Sequence, residues 1–203
     1  MKLTKKLLTT AIALSLGLAA ATANANLISR LSGAAVYDTD LNITWLANAN
    51  ANGVMSWATA NTWASGLTVG GFSGWRLPNA DPSCGEGYNC TSSEMGHLFY
   101  TELGGAAGST ILTTHNANLA LFQNVQSNYY WSGTEDASFT DAAWLFGMLN
   151  GYQHADYKTE WRFALAVRPG DVGAAGGSVP EPATLALLGM GLAGLGWTRR
   201  RKA

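Results

Sequence analysis

Short apolar stretches separated by Gly, Asn and Ser fill the middle of the chain, and one longer uncharged apolar run lies near each end. In the middle, residues 34–37 and 43–46 read as strands on either side of an Asp38-Thr39-Asp40 turn. Residues 47–53 alternate Ala and Asn and read as a loop. From Trp57 the apolar positions Ala60, Ala64 and Leu67 recur at helical spacing, with Ser56 placed to cap the helix. Ser92 or Ser93 can cap a second helix running to about residue 103, with Met95, Leu98 and Phe99 on its buried face. Residues 129–132, 142–149 and 163–168 then predict strands. Two early helices and a late antiparallel β-region make an α+β domain.

The ends follow a different logic. Lys2, Lys5 and Lys6 precede an apolar run that closes on Ala23-Asn24-Ala25. This is the tripartite order of a secretory signal peptide, so residues 1–25 are expected to be removed, with cleavage before Asn26. Signal peptidase and the Sec translocon are the partners it implies. At the other end a Gly/Ala linker, 171–179, leads to Pro180-Glu181-Pro182, an uncharged run over 183–198, and a closing Arg199-Arg200-Arg201-Lys202 cluster. An apolar helix of about 15 residues spans about 22 Å, short of a bilayer core of about 30 Å. Trp197 and the arginines suit the interface, and the positive cluster predicts a cytoplasmic C-terminus. The reading is a transient transmembrane anchor in the inner membrane.

Charge changes the picture once the ends are set aside. The middle holds five basic and twelve acidic residues, a net charge of −7, although the whole chain sums to −1. An acidic domain repels phosphate backbones, so no nucleic-acid partner is expected. A cation, or a neutral or basic partner, fits better. Seven of the eight Trp lie in the middle, enough for a substantial aromatic core.

Candidate chemistry is sparse. Cys84 and Cys90, in an exported chain, are expected to form a disulfide. A metal site with His97 is the alternative, but the spacing matches no common zinc pattern. Asp38-x-Asp40-x-Asn42 opens like a calcium loop but carries Ile43 where glycine is required and Ala49 where glutamate is required, so an EF-hand is excluded. Glu135, Asp136 and Asp141 surround a short Ser-Phe-Thr loop; with Asn150 they form either a ligand or calcium loop or a solvated acidic turn. No G-x-S-x-G or H-E-x-x-H motif occurs, and no catalytic residue or enzymatic activity is expected. No cofactor is required; calcium is the one ion the acidic loop would suit.

Two resemblances attach to these residues. The Pro180-Glu181-Pro182 motif, apolar run and basic stop resemble the PEP-CTERM sorting tail, which implies recognition by exosortase and a destination in the cell envelope or biofilm matrix. The second rests on Asp38-Thr39, Thr44-Trp45-Leu46, Trp57-Ala58, Trp75-Arg76-Leu77-Pro78-Asn79, Tyr130-Trp131-Ser132 and Ala166-Val167-Arg168-Pro169. In this order they resemble the Lcl C-terminal domain family, over about residues 31–170, which looks like a relative of C-type lectin-like folds. A single domain, 26–170, is expected, followed by the linker and the 180–203 tail. Trp75, Arg76, Pro78 and Trp131 are then structural: Trp75 fills the core, Arg76 pairs with a carboxylate, and Pro78 fixes a turn. Trp131, Trp144 and Trp161 are expected to pack rather than stack on ligand. The Trp-Arg-Leu-Pro block also resembles formylglycine-generating, sulfatase-modifying enzymes. The leading expectation is a surface binding or adhesion module for extracellular polysaccharide. The alternatives are an envelope enzyme related to the sulfatase-modifying factors, or a purely structural matrix protein.

Overall fold

The computed structural model describes residues 26–173; the signal segment, most of the linker, and the Pro180-Glu181-Pro182 tail with its apolar run lie outside the described residues. Two sheets share one core. The first has the strand order β1 (Leu27–Arg30), β2 (Ala35–Asp38), β3 (Ile43–Leu46), then the final strand β9 (Val167–Pro169). The second runs β4 (Val54–Met55), β8 (Arg162–Ala164), β5 (Tyr129–Glu135), β6 (Ala142–Gly147), β7 (Gln153–Tyr157). Helix α1 (Trp57–Ser65) follows β4, and α2 (Glu94–Gly96) continues into a π-helical turn, His97–Glu102. The domain is α+β, with strands predominating.

The β2–β3 hairpin forms where its pattern predicts it. Asp38 Oδ1 accepts from the backbone N–H groups of Asp40 and Leu41, both at 3.1 Å, which fixes the turn. Ser56 holds the N-cap position of α1, although its hydroxyl meets Thr59 Oγ1 at 3.0 Å rather than a backbone amide. Ser93 does cap α2, accepting from Gly96 N at 3.1 Å. Gly96 is required there: a Cβ would stand 1.8 Å from the Cys90 carbonyl oxygen. Removing the side chain lets the helix seat on the disulfide loop.

Two expectations about the late strands need correction. The run 163–168 is not one strand but two, β8 and β9, in different sheets. Leu165 and Ala166 are buried between them, so the apolar run reflects one core touched from two sheets. Nor is the late region wholly antiparallel: β5–β6–β7 is, but β8 lies parallel to β5, pairing Tyr130 with Phe163 and Trp131 with Ala164.

The sequence blocks converge on this seam. Arg76 and Val167 exchange two backbone hydrogen bonds of 2.8 Å, tying the Trp75–Pro78 segment to β9. Gly133 N donates to the Pro78 carbonyl at 2.8 Å, tying the same segment to β5. The Trp131 indole donates to Met55 O at 3.0 Å, and the Trp57 indole to Ser132 O at 2.8 Å. Trp45, Trp75, Tyr130 and Trp131 are buried together in one core. Arg76 holds Glu94 through two hydrogen bonds of 2.7 Å.

Candidate functional site

The β6–β7 hairpin floors a cleft of about 300 Å³. Ala142 and Tyr157 face each other in the ladder, as do Trp144 and Ala155, so these four share one sheet face. The 136–141 loop forms one wall, through Asp136 and Phe139; Glu86 of the disulfide loop forms another. The disulfide, Cys84–Cys90, is formed. Its loop adds to the open edge of the sheet: Gly87 and Gln153 exchange backbone hydrogen bonds of 2.8 and 2.9 Å. The Gln153 amide donates to Asp81 O at 2.9 Å, and Tyr88 packs edge-on against Tyr152. The covalent bridge and the Gly87–Gln153 pairing together hold the loop that carries Glu86.

Two kinds of group meet here. Phe139 and Tyr157 are 71% and 67% exposed, so two aromatic side chains stand open at the rim of one cleft. Trp161, expected in the core, is 66% exposed instead. It lies in the β7–β8 turn, where a lone aromatic gives no periodicity from which burial can be read. Trp144 is buried as expected, but its indole N–H has no hydrogen-bond partner among the described residues. Glu86 Oε1 takes only a 3.4 Å hydrogen bond from Ala155 N, and Asp136 Oδ1 takes one of 2.8 Å from Ser138 N. Neither carboxylate is in an ion pair among the described residues.

The acidic-loop residues are not all brought together. Glu135 pairs with Lys158, whose ammonium also donates to Thr140 O and stands 4.6 Å from the Trp57 ring centroid. Asp141 immediately precedes β6, but Asn150 lies past the far end of that strand, about 20 Å away along it. There Asn150 Oδ1 accepts from Tyr152 N at 3.0 Å, a turn role. Of the four residues, only Asp136 lines the cleft.

A second polar group went unread in the sequence. Asp38, His97 and Glu102 bring one ligand-type atom each within 4.8 Å of one another. His97 Nε2 lies 3.2 Å from Glu102 Oε1, and Asn26 Nδ2 donates to Asp40 Oδ2 at 2.8 Å and Glu102 Oε1 at 3.4 Å. The spacing hid it. Positions five apart diverge on an α-helix but align on a π-turn, and His97–Glu102 is such a turn. These atoms are near enough to share a cation. Asp38, however, is already held by two turn amides and the Trp45 indole at 3.3 Å. Burial, and then the Asp38 charge, push the Glu102 carboxyl above the usual carboxylate range. The arrangement is a hydrogen-bonded cluster that closes the β2–β3 turn onto the helical segment.

No helix among the described residues is long and apolar enough to cross a membrane. No curated protein matches the chain. The PEP-CTERM protein-sorting motif matches residues 178–201, which contain Pro180, Glu181 and Pro182; it marks an exported envelope protein processed by exosortase. The model of the Lcl C-terminal domain matches residues 34–168, from the first hairpin to the last strand. The chain thus belongs to the Lcl C-terminal domain family and carries a PEP-CTERM sorting tail.

Proposed function

We propose that the domain is a non-catalytic binding module of lectin-like architecture, holding extracellular polysaccharide in the cleft between the 136–141 loop and the disulfide loop. The observation that carries this is the pairing of exposed Phe139 and Tyr157 with the unpaired carboxylates Glu86 and Asp136 around one concavity. Aromatic faces cover the C–H faces of sugar rings, and carboxylates accept from hydroxyl groups. At about 300 Å³ the cleft is at the small end of small-molecule sites, too small for a folded partner. Tail processing at the envelope puts such a module where polysaccharide is abundant. Calcium is not needed in this reading, because Lys158 occupies Glu135 and Asn150 is remote.

A glycan array probed with the purified exported protein, with and without chelator, tests the proposal. Binding to a subset of glycans, unchanged by chelator and lost in Phe139→Ala/Tyr157→Ala, is the expected result. No binding to any glycan or matrix fraction would remove the reading. Binding abolished by chelator would restore a metal to it.

A further inference from the structure

We infer that the polysaccharide held by this cleft carries free ammonium groups: an amino sugar polymer rather than a neutral or acidic one. This rests on the binding-module reading above and names its ligand class. The first support is the disposition of charge. Twelve carboxylates face five cationic side chains in residues 26–173. Arg30, Arg76, Lys158 and Arg162 are committed to Asp171, Glu94, Glu135 and Asp156. The fifth, Arg168, donates to Ser73 O at 3.0 Å and stands over the Phe72 ring. Asp156, which also lines the cleft, is neutralised by Arg162, but among the described residues no cation pairs with Glu86 or Asp136, so these two carboxylates leave the cleft at negative potential. A concave wall concentrates that potential and recruits cations from solution.

The second support is the rings. An ammonium group next to an aromatic face gains a cation–π attraction in addition to its ion pair with a carboxylate. A sugar bearing that ammonium satisfies both parts of the cleft with one residue: its C–H face on Phe139 or Tyr157, its charge on Glu86 or Asp136. An N-acetyl group would cancel the charge while keeping the ring contact. A uronic acid would bring a further negative charge against a domain already at −7. A divalent cation would use the carboxylates but leave the aromatic surface unexplained.

Calorimetry with the purified exported protein decides the matter, at weakly acidic pH and low salt. The probes are a glucosamine hexamer, the fully N-acetylated hexamer, an oligouronate and a lysine hexapeptide. The glucosamine hexamer is expected to bind about tenfold tighter than its acetylated form, a difference of about 1.4 kcal/mol. That preference should vanish in Glu86→Gln/Asp136→Asn and shrink in about 0.5 M salt, where the Debye length falls to about 4 Å and long-range attraction to the cleft is screened. Phe139→Ala/Tyr157→Ala should weaken both glucosamine forms. Near-ultraviolet circular dichroism confirms that each variant remains folded. Equal or tighter binding of the acetylated hexamer overturns the inference while leaving a polysaccharide module intact. So does oligouronate binding. Lysine hexapeptide binding as tight as the glucosamine hexamer would overturn it in favour of a basic peptide. No glycan binding at all would remove the module reading itself.

Discussion

Arg76 and Glu94 are joined by two parallel hydrogen bonds of 2.7 Å, and Glu94 Oε2 accepts a third, of 2.6 Å, from Asn79 N. One carboxylate thus fixes both the loop that follows Trp75 and the first turn of α2. The planar guanidinium fork matches the carboxylate in a way an ammonium cannot. Arg76→Lys is therefore expected to lose about 1–2 kcal/mol, a range typical of hydrogen bonds to charged groups at a partly exposed site. Urea unfolding with unchanged slope would measure it; a loss within error would mean the pair is dispensable.

The disulfide couples stability to the cleft. Its closed loop is short, so cross-linking restricts the unfolded chain by only about 2 kcal/mol. Cys84→Ser/Cys90→Ser should lower the melting temperature by about 4–8 °C. It should also weaken glycan binding more than its stability loss explains, because Glu86 is held by that loop. Measuring affinity well below the melting transition separates the two effects; unchanged affinity would show that β7 alone positions Glu86.

Glu102 gives the fold a pH dependence of known sign. Burial and the nearby Asp38 charge raise its carboxyl pKa in the folded state, against smaller opposing effects of Asn26 and His97. A group whose folded pKa lies above the unfolded value contributes stability that is complete below about pH 4.3 and is lost as pH rises through the folded pKa. Glu102→Gln should remove this loss. Its stability should equal that of the parent in acid and exceed it at neutral pH. Denaturant midpoints across that range provide the check, and a variant weaker at neutral pH would show that the His97 contact outweighs the burial cost.

Asn26 predicts a chemical requirement at the start of the domain. Its side-chain amide touches Asp40 and Glu102, and its own backbone nitrogen lies within about 5 Å of that amide by covalent geometry. A chain beginning at Asn26 therefore brings an ammonium to a cluster of three carboxylates and one histidine. Adding Gly-Ser before Asn26, or acetylating it, should cost about 0.5–1 kcal/mol at low salt and less at high salt. Comparing melting temperatures of the two forms in both salts tests this; equal values would place the charge outside the cluster.

Local patterning made the β2–β3 hairpin, α1 and a cap at Ser92 or Ser93 legible, because each is set by neighbours within a few residues. The Arg76 pairing followed from chemistry, since a half-buried guanidinium needs an anion. Sheet membership was not legible. Phe163, Ala164, Val167 and their neighbours are uniformly apolar, and only the partners Tyr130 and Trp45, far away in sequence, determine that the run divides between two sheets. Strands β1, β4 and β7 were too short or too polar to register. At the cleft, Asp136 was identified by its charge, but Phe139, Tyr157 and Glu86 were not. An exposed aromatic carries no signal until the surface around it is known. The Asp38, His97 and Glu102 cluster needed a π-turn that no helical periodicity announces.

The pairing of β3 with β9 sets an order of events for an exported chain. Thr44 lies opposite Arg168, so the first sheet cannot be completed until residues some 120 positions later arrive. Contacts so distant in sequence close slowly, since the intervening loop entropy must be overcome first. A chain threaded outward from its N-terminus would present β1 to β3 to the far side long before their last partner emerges. The hairpin must wait there with an unpaired edge, liable to capture by other strands. Because β9 ends at Pro169, that edge is sealed only when the last strand of the domain has emerged. The domain would then close only after nearly its whole length had been exported.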